Sequence, residues 1–402
     1  MKCVILAAGE GKRMHPLTYT RPKVMVPIAC KPLLEWNLEN AIKAGLKEFI
    51  FIVGYRDDMV RSYFEDGSKW KVKIDYINQG RPQGTAHAIG MVESFAHDFI
   101  VLSGDTIFGI EDIKKSILQK QSMGLYKVDY PERYGVVEQN DDTITRIVEK
   151  SSQPPSNLIN AGIYHFLDSI FDFIKATQPS KRGEYEITDS INKLTKKENF
   201  SGFLLTYWRD VVYSWDLFTV NSEMMARSTF DIFGIIENNV TVNGKVAVGK
   251  GTVIKSGSYI EGPVIIGKDC KIGPNCYIRS DTTIGDHSHI GNACEIKNSI
   301  IFDHTNIPHH NYVGDSIIGS NCNLGSGTKV ANLRLDKKLI RTSLNGHKID
   351  TGLKKLGVIM GDDVQTGINA MINVGTVIGN NVFIGPGALA KGEIQPGAII
   401  SN

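Results

Sequence analysis

The apolar residues of this chain keep two different periods. Over roughly the first hundred residues, strand-like apolar runs at 3–7, 49–53, 72–77 and 99–102 alternate with stretches whose apolar positions recur at helical intervals. Such alternation is the pattern of βαβ units and predicts an α/β, doubly wound parallel sheet. One helix is well marked. It should start near Pro32, turn Leu34, Leu38, Ala41 and Ile42 to one side and stop at Gly45, with proline at its head and glycine past its end. In these sheets ligands bind beyond the carboxyl ends of the strands, which directs attention to the loops after Ala7 and Leu102.

Past about residue 230 the rule changes. Aliphatic residues fall every six positions, at Ile236, Val242, Val248, Ile254, Ile260, Ile266, Ile272, Ile278, Ile284, Ile290 and Ile296. The phase returns at Ile318, Leu324 and Val330, and again at Met360, Thr366, Ile372, Ile378, Ile384 and Ala390. Glycine often follows the aliphatic residue (Gly249, Gly267, Gly273, Gly285, Gly291), which predicts tight corners of unusual backbone conformation at those points. The pattern resembles the hexapeptide repeat of left-handed parallel β-helices, in which each six-residue side sends one aliphatic side chain into a stacked core. Two interruptions break it, at about 303–312 with His304, His309 and His310, and at about 331–356, rich in Lys and Arg. An insertion in a regular solenoid is a natural place for function. A helix over about 215–230 should join the halves, giving domains 1–230 and 231–402.

Composition narrows the partners. The chain has 402 residues, more than one core usually serves. Lys plus Arg (45) nearly balances Asp plus Glu (43), which leaves no electrostatic footprint for nucleic acid or an anionic membrane and favours a small-molecule partner. No apolar run approaches the ~20 residues of a membrane helix. The six cysteines form no CxxC pair, and the N-terminus runs straight into a strand with no cleavable signal, so a soluble cytoplasmic protein with reduced thiols is expected.

The loop after the first strand reads Ala7-Ala8-Gly9-Glu10-Gly11-Lys12-Arg13, a glycine-rich turn whose backbone N–H groups can approach phosphate closely. It is no Walker A loop, because no glycine stands five residues before Gly11 and no Ser or Thr follows Lys12. Nor is it a dinucleotide fingerprint, since Met14 stands where the third glycine would be. The continuation gives it meaning: Arg21-Pro22-Lys23, Val24-Met25-Val26-Pro27, Lys31-Pro32, Gln79, Gly84-Thr85-Ala86-His87-Ala88, Gly104-Asp105-Thr106, Tyr134-Gly135-Val136-Val137, Glu149-Lys150, Asn160-Ala161-Gly162 and Trp208-Arg209-Asp210. In that order, over most of residues 1–220, these pieces resemble the signature of the sugar-phosphate nucleotidylyltransferases.

The resemblance implies a Rossmann-like nucleotidyltransferase domain that joins UTP or dTTP to a sugar 1-phosphate, N-acetylglucosamine 1-phosphate or glucose 1-phosphate, and releases pyrophosphate. It implies that Asp105 and Asp210 hold Mg2+, a hard ion suited to carboxylate oxygen. It implies that Gln79 and the backbone at Ala7, Gly9 and Gly84 read the base. Glu149 and Asn160 would bind the sugar's hydroxyl and N-acetyl groups, with Gly135 leaving room for the ring. Both reactants are anionic, and Arg13 and Lys23 can cancel their repulsion. Asp210 lacks the glycine that the family commonly has two residues later, and Asp216 is the nearest substitute.

In the second half, Ile307-Pro308-His309-His310-Asn311-Tyr312-Val313-Gly314-Asp315 resembles the catalytic loop of the acetyltransferase domain of bifunctional amino-sugar-phosphate enzymes, in which a histidine stands three residues before the tyrosine of Tyr-x-Gly-Asp. That spacing selects His309. The chemistry needs a base, because an ammonium cannot attack the thioester of acetyl-CoA until it loses a proton. Arg279 and Lys297 follow core aliphatic residues where glycine often sits, and could hold the phosphate of glucosamine or galactosamine 1-phosphate. The resemblance adds Tyr312, Asn323 and Asn332 for the amino sugar, the Ser326 N–H for the acetyl carbonyl, Lys338 from a neighbouring subunit, and a homotrimer. The alternative is a single-activity glucose-1-phosphate uridylyl- or thymidylyltransferase whose β-helix only builds the oligomer. His287 and His289 should be solvated, and no further ligands in phase with them suggest zinc.

Overall fold

The computed structural model describes residues 1–401. The chain packs as two compact units, one of Met1–Glu10, Arg21–Met25 and Pro32–Asp210, the other of Gly11–Thr20, Val26–Lys31 and Val211–Asn402. Among the described residues no helix is long and apolar enough to cross a membrane.

The first unit is built on a nine-stranded sheet. Lys73–Asn78, Glu48–Val53, Lys2–Ala7 and Asp98–Ser103 stand side by side, all parallel, each within one residue of the run that predicts it. Successive side chains point to opposite faces. Cys3 and Ile5 therefore join Leu34, Leu38 and Ala41 of the helix Leu33–Lys43 in one core, while Val4 joins Ala86, Ile89 and Phe171 in another. Gly45, at φ +106, ends that helix region as its position suggests. The parallel order stops at Asp98–Ser103, which pairs antiparallel with Leu158–Leu167. The remaining strands make the sheet mixed, a common outcome when only part of a large sheet is wound by helical crossovers.

The second unit is dominated by a parallel β-helix. Three sheets of nine, eight and eight strands each pair a strand with the third one on, as in Val246–Val248, Val264–Ile266 and Thr282–Ile284. The six-residue aliphatic series from Val248 onward fills a single buried core. Each such side chain contributes about 1.5–3 kcal/mol of burial, and neighbouring coils supply each other's partners.

Two details differ from the expectation. The stretch 303–312 is no insertion: Ile301, Ile307 and Val313 continue the core, and the phase merely slips by one residue at Ile296 to Ile301 and again at Val313 to Ile318. His304 sits at an ordinary corner with φ +60, its ring stacked on His287 at 4.8 Å, in a position where other coils carry Asp269, Asn321 and Asp363 with the same backbone sign. Of the glycines after the core residues, Gly273 takes the expected positive φ of +93, but Gly249, Gly267, Gly285 and Gly291 have another cause. Gly291 does not take a positive φ; a Cβ on it would stand 1.8 Å from the carbonyl oxygen of Pro308 on the next coil. Close stacking of coils, not corner conformation, excludes a side chain there.

The stretch 331–356 is a true insertion. It contains the antiparallel hairpin of Arg341–Leu344 and His347–Asp350, with Ile340 and Leu344 buried and the Thr342 hydroxyl donating to the Gly375 carbonyl at 2.8 Å. The helix Asp216–Arg227, expected over 215–230, packs on the coils: Ser222 donates to Asp281 at 2.6 Å and Asn221 accepts from the Ala29 N–H at 2.8 Å. Thr20 donates to Asp362 at 2.6 Å, so the early segments of this unit are held to the solenoid by named bonds.

Candidate functional sites

Asp105 follows the carboxyl end of the strand Asp98–Ser103. Gly104 before it donates its N–H to the Leu6 carbonyl at 2.9 Å, so close that a Cβ would lie 2.5 Å from that oxygen. The buried Asn37 holds the turn from the helix, its Nδ2 donating to the Thr106 carbonyl at 2.6 Å and reaching those of Ser103 and Gly104 at 3.4 Å. Thr106–Phe108 then pairs antiparallel with Trp208–Asp210 in a register that sets Asp210 opposite Thr106. Two carboxylates distant in sequence thus arrive one ladder position apart. Lys23 serves both: its Nζ lies 2.6 Å from Asp105 Oδ2 and 3.8 Å from Asp210 Oδ1, with a side chain only 8% exposed. Asp216 has another task, accepting the backbone N–H groups of Val212 and Tyr213 at 2.9 and 2.7 Å at the head of its helix.

Paired carboxylate oxygens beside a buried ammonium suit magnesium, which commonly takes one or two carboxylates and completes its shell with water and substrate phosphate. Among the described residues no cluster of three or more His, Cys, Asp or Glu is arranged to hold an ion unaided. Gly9, just past Ala7, faces open space. Gly11 takes φ +80 and opens the turn Lys12–Met14 that carries the exposed Arg13, a turn fastened within the second unit by Thr18 to the Gly11 carbonyl (2.9 Å) and Ser214 to the Met14 carbonyl (3.1 Å).

Further along the first unit, Gln79 is buried and its Nε2 donates to the Gly84 carbonyl at 3.2 Å, with His87 Nδ1 at the same distance. Gly84, at φ +113, lies so near Tyr185 that a Cβ would be 2.5 Å from its carbonyl oxygen. Glu149 accepts from Thr188 at 3.0 Å, and burial pushes its carboxyl above the usual range. Gly135 makes room for that carboxylate, since a Cβ there would lie 2.9 Å from Glu149 Oε1. Asn160 donates to the buried Tyr164 hydroxyl at 2.8 Å. Trp208 ties two of the motifs together through a 2.9 Å bond from its indole to the Ala161 carbonyl. Asn37, Thr188, Tyr164 and Arg182, which reaches Glu149 at 3.9 Å, escaped the sequence reading because their roles depend on tertiary neighbours.

In the β-helix, strand register stacks Arg279, Lys297 and Gly314 on one face, with Tyr277, Glu295 and Tyr312 two residues earlier. Arg279 pairs with Glu295 at 3.0 Å, and Lys297 with Asp315 at 3.4 Å. Asn332 Nδ2 donates to Asp315 at 2.5 Å and to the Tyr312 hydroxyl at 3.2 Å. Tyr312 and Asn332 line an open cleft of about 460 Å³ with Lys329, Asn373 and Leu389. His309 ends the strand Asn306–His309 at the adjoining corner, exposed, with its carbonyl accepting the Gly327 N–H at 3.0 Å beside Ser326. Asn323 belongs to a different sheet from Tyr312, opposite Asn306. Lys338 is exposed on the insertion, its N–H donating to Asp336 at 3.2 Å. His289 is half-buried rather than solvated, and burial lowers its pKa.

Comparison with known proteins follows the same division. A nucleotidyl transferase family model matches residues 2–227, and a model described as the GMPPB C-terminal domain matches residues 260–381. A protein of Methanococcus maripaludis named bifunctional protein GlmU is 44% identical over 405 residues, covering 100% of this chain and 97% of that relative. A bifunctional sugar-1-phosphate nucleotidylyltransferase/acetyltransferase of Sulfurisphaera tokodaii is 40% identical over 99% of both. Among solved structures, a putative glucose-1-phosphate thymidylyltransferase from Bacillus anthracis matches with a TM-score of 0.51 at 30% identity, over 56% of this chain and 94% of its own.

Proposed function

The chain belongs to the nucleotidyl transferase family, as a full-length relative of the bifunctional sugar-1-phosphate nucleotidylyltransferase/acetyltransferases, and on that premise we propose how its residues divide the two transfers. Residues 1–230 carry nucleotidyl transfer and residues 231–402 acetyl transfer. The carrying observation is that a single chain holds two separate sets of reactive groups: Lys23 between Asp105 and Asp210, and, on the β-helix, Tyr312 and Asn332 lining a cleft with Lys297 tied to Asn332 through Asp315. Relatives spanning the whole length are named bifunctional, and that of Sulfurisphaera tokodaii bears both activities in its name, which favours this reading over a single-activity enzyme.

In the first reaction a phosphate oxygen of the sugar 1-phosphate attacks the α-phosphorus of UTP or dTTP, and pyrophosphate leaves. Lys23 and Arg13 neutralise the approaching anions, Gln79 and the backbone at Ala7, Gly9, Gly11 and Gly84 seat the nucleotide, and Gly135, Glu149 and Asn160 seat the sugar. Asp105 and Asp210 would hold Mg2+, whose charge offsets that of the phosphates. In the second reaction His309 takes a proton from the amine of glucosamine or galactosamine 1-phosphate. The amine nitrogen then attacks the thioester carbonyl of acetyl-CoA and CoA leaves as the thiol. Arg279 and Lys297 hold the phosphate, and the Ser326 N–H holds the acetyl oxygen. Asn323 stands on a different sheet from Tyr312 and Lys338 is exposed on the insertion, an arrangement that suits a homotrimer whose sites draw on neighbouring subunits.

The test is a pair of variants assayed for both products. Asp105→Ala should abolish pyrophosphate release and spare CoA release, and His309→Ala should do the reverse. Loss of both activities from either change in a folded protein would contradict the division.

A further inference from the structure

We propose that Asp315 is the positioning residue of the acetyl-transfer site, fixing which end of the Asn332 amide and which side of the Tyr312 hydroxyl meet the amino sugar; this rests on the acetyl-transfer reading above. Ionised carboxylates only accept hydrogen bonds. Asn332, 2.5 Å from Asp315 Oδ2, must therefore present its NH2 group. The same NH2 reaches the Tyr312 oxygen at 3.2 Å, so its two donors are spent on two acceptors. Oδ1 of Asn332 is left as the end available to a ligand in the cleft that Asn332 and Tyr312 line, where it can accept a hydrogen bond from an amine. Tyr312, having accepted from Asn332, keeps its own hydroxyl proton to donate.

Without the carboxylate this polarity would be lost. A tyrosine hydroxyl both donates and accepts, so Tyr312 alone cannot tell one end of the amide from the other. Asp315 can, because it is itself immobile. Its side chain is 6% exposed, Oδ1 accepts from Asn298 at 2.7 Å, its N–H donates to the Lys297 carbonyl at 2.9 Å, and its carbonyl accepts from the Gly357 N–H at 2.7 Å. The carboxylate also stands 3.4 Å from Lys297 Nζ and so sets the ammonium assigned to the sugar phosphate. Gly314 completes the arrangement, since a Cβ there would lie 2.7 Å from both Asn332 Nδ2 and the Tyr312 oxygen. The run Tyr312-Val313-Gly314-Asp315 thus reads as a ligand-facing hydroxyl, a core residue, a space for the amide and its anchor.

Asp315→Asn keeps the shape and removes the acceptor-only constraint. CoA release from acetyl-CoA and glucosamine or galactosamine 1-phosphate is measured on the full-length protein, with pyrophosphate release as the control for folding. kcat/KM for the amino-sugar phosphate should fall about 10- to 100-fold, the scale of a hydrogen bond to a charged group, while KM for acetyl-CoA stays unchanged. In an Asn332→Ala background the same substitution should cost much less, because the amide it orients is gone; a merely structural effect would add in full. Asn298→Ala, which loosens the anchor without touching the cleft, should lower the same parameter by a smaller factor, and it decides the matter if Asp315→Asn does not fold. Wild-type kcat/KM in the folded Asp315→Asn protein, or in Asn298→Ala should Asp315→Asn not fold, or full additivity with Asn332→Ala, would overturn the proposal. A wild-type protein that releases no CoA would overturn the acetyl-transfer reading itself, a different result from an active variant beside an active wild type.

Discussion

Lys23→Met keeps the buried stem of the side chain and deletes the ammonium that faces Asp105 and Asp210. The stability effect lies between two limits. Breaking a fully buried ion pair costs about 3–5 kcal/mol, and an exposed one about 0–1 kcal/mol. Lys23 is buried but Asp105 is 43% exposed, so solvent screens much of the interaction and a cost of about 1–2 kcal/mol is expected. For a domain of this size that is a fall in Tm of about 2–8 °C. The variant should also respond differently to Mg2+. With the ammonium gone, a cation approaching the two carboxylates meets less repulsion; if it recovers a comparable 1–2 kcal/mol, it binds about tenfold tighter. Thermal melts across a magnesium titration, without nucleotide, read this directly, since stabilisation grows as RT ln(1 + [L]/Kd). The stabilising midpoint should move to about tenfold lower magnesium even as pyrophosphate release falls by about 10²–10³. A variant that melts like wild type, with the same magnesium midpoint, would refute the claim that Lys23 and the metal share this carboxylate pair.

Gly291→Ala tests the stacking argument: its Cβ would strike the Pro308 carbonyl, displacing the coil that carries His309, so CoA release should be lost at a cost of about 1–3 kcal/mol in stability while pyrophosphate release persists. Glu149→Gln tests the sugar pocket. Burial raises the Glu149 pKa in the folded protein, so the native state holds its proton more tightly than the unfolded chain, and stability falls as pH rises from the ordinary glutamate range through that raised value. Melts of the Gln variant across that window should lose this slope and show higher stability than wild type at neutral pH; an unchanged slope would reject the assignment.

How much of this was readable in advance follows from the range of each interaction. The parallel strands and the solenoid core are set by local periodicity, and sequence alone places Lys2–Ala7, the helix at Leu33–Lys43 and the Ile254 to Ile296 ladder. The single-residue slips near Ile301 and Ile318 imitate an insertion because a fixed six-residue count cannot distinguish a shortened corner from an inserted loop. Gly291 misleads for a related reason. A glycine signals that a side chain is forbidden, but whether backbone conformation or a neighbouring coil forbids it is a tertiary fact. The residues that escaped altogether are the buried polar ones. Asn37 lies on a helix that otherwise reads as an apolar face, and only the fold reveals three carbonyls of the Asp105 turn within its reach. Asp315 ends a recognisable motif, yet its meaning lies in Asn332, Asn298 and Lys297, none of which a pattern of spacing would pair with it. Motifs expose groups that touch substrate, because chemistry restricts their identity. The groups that aim them are restricted only by packing and hydrogen-bond direction, so the geometry of the fold is needed to find them.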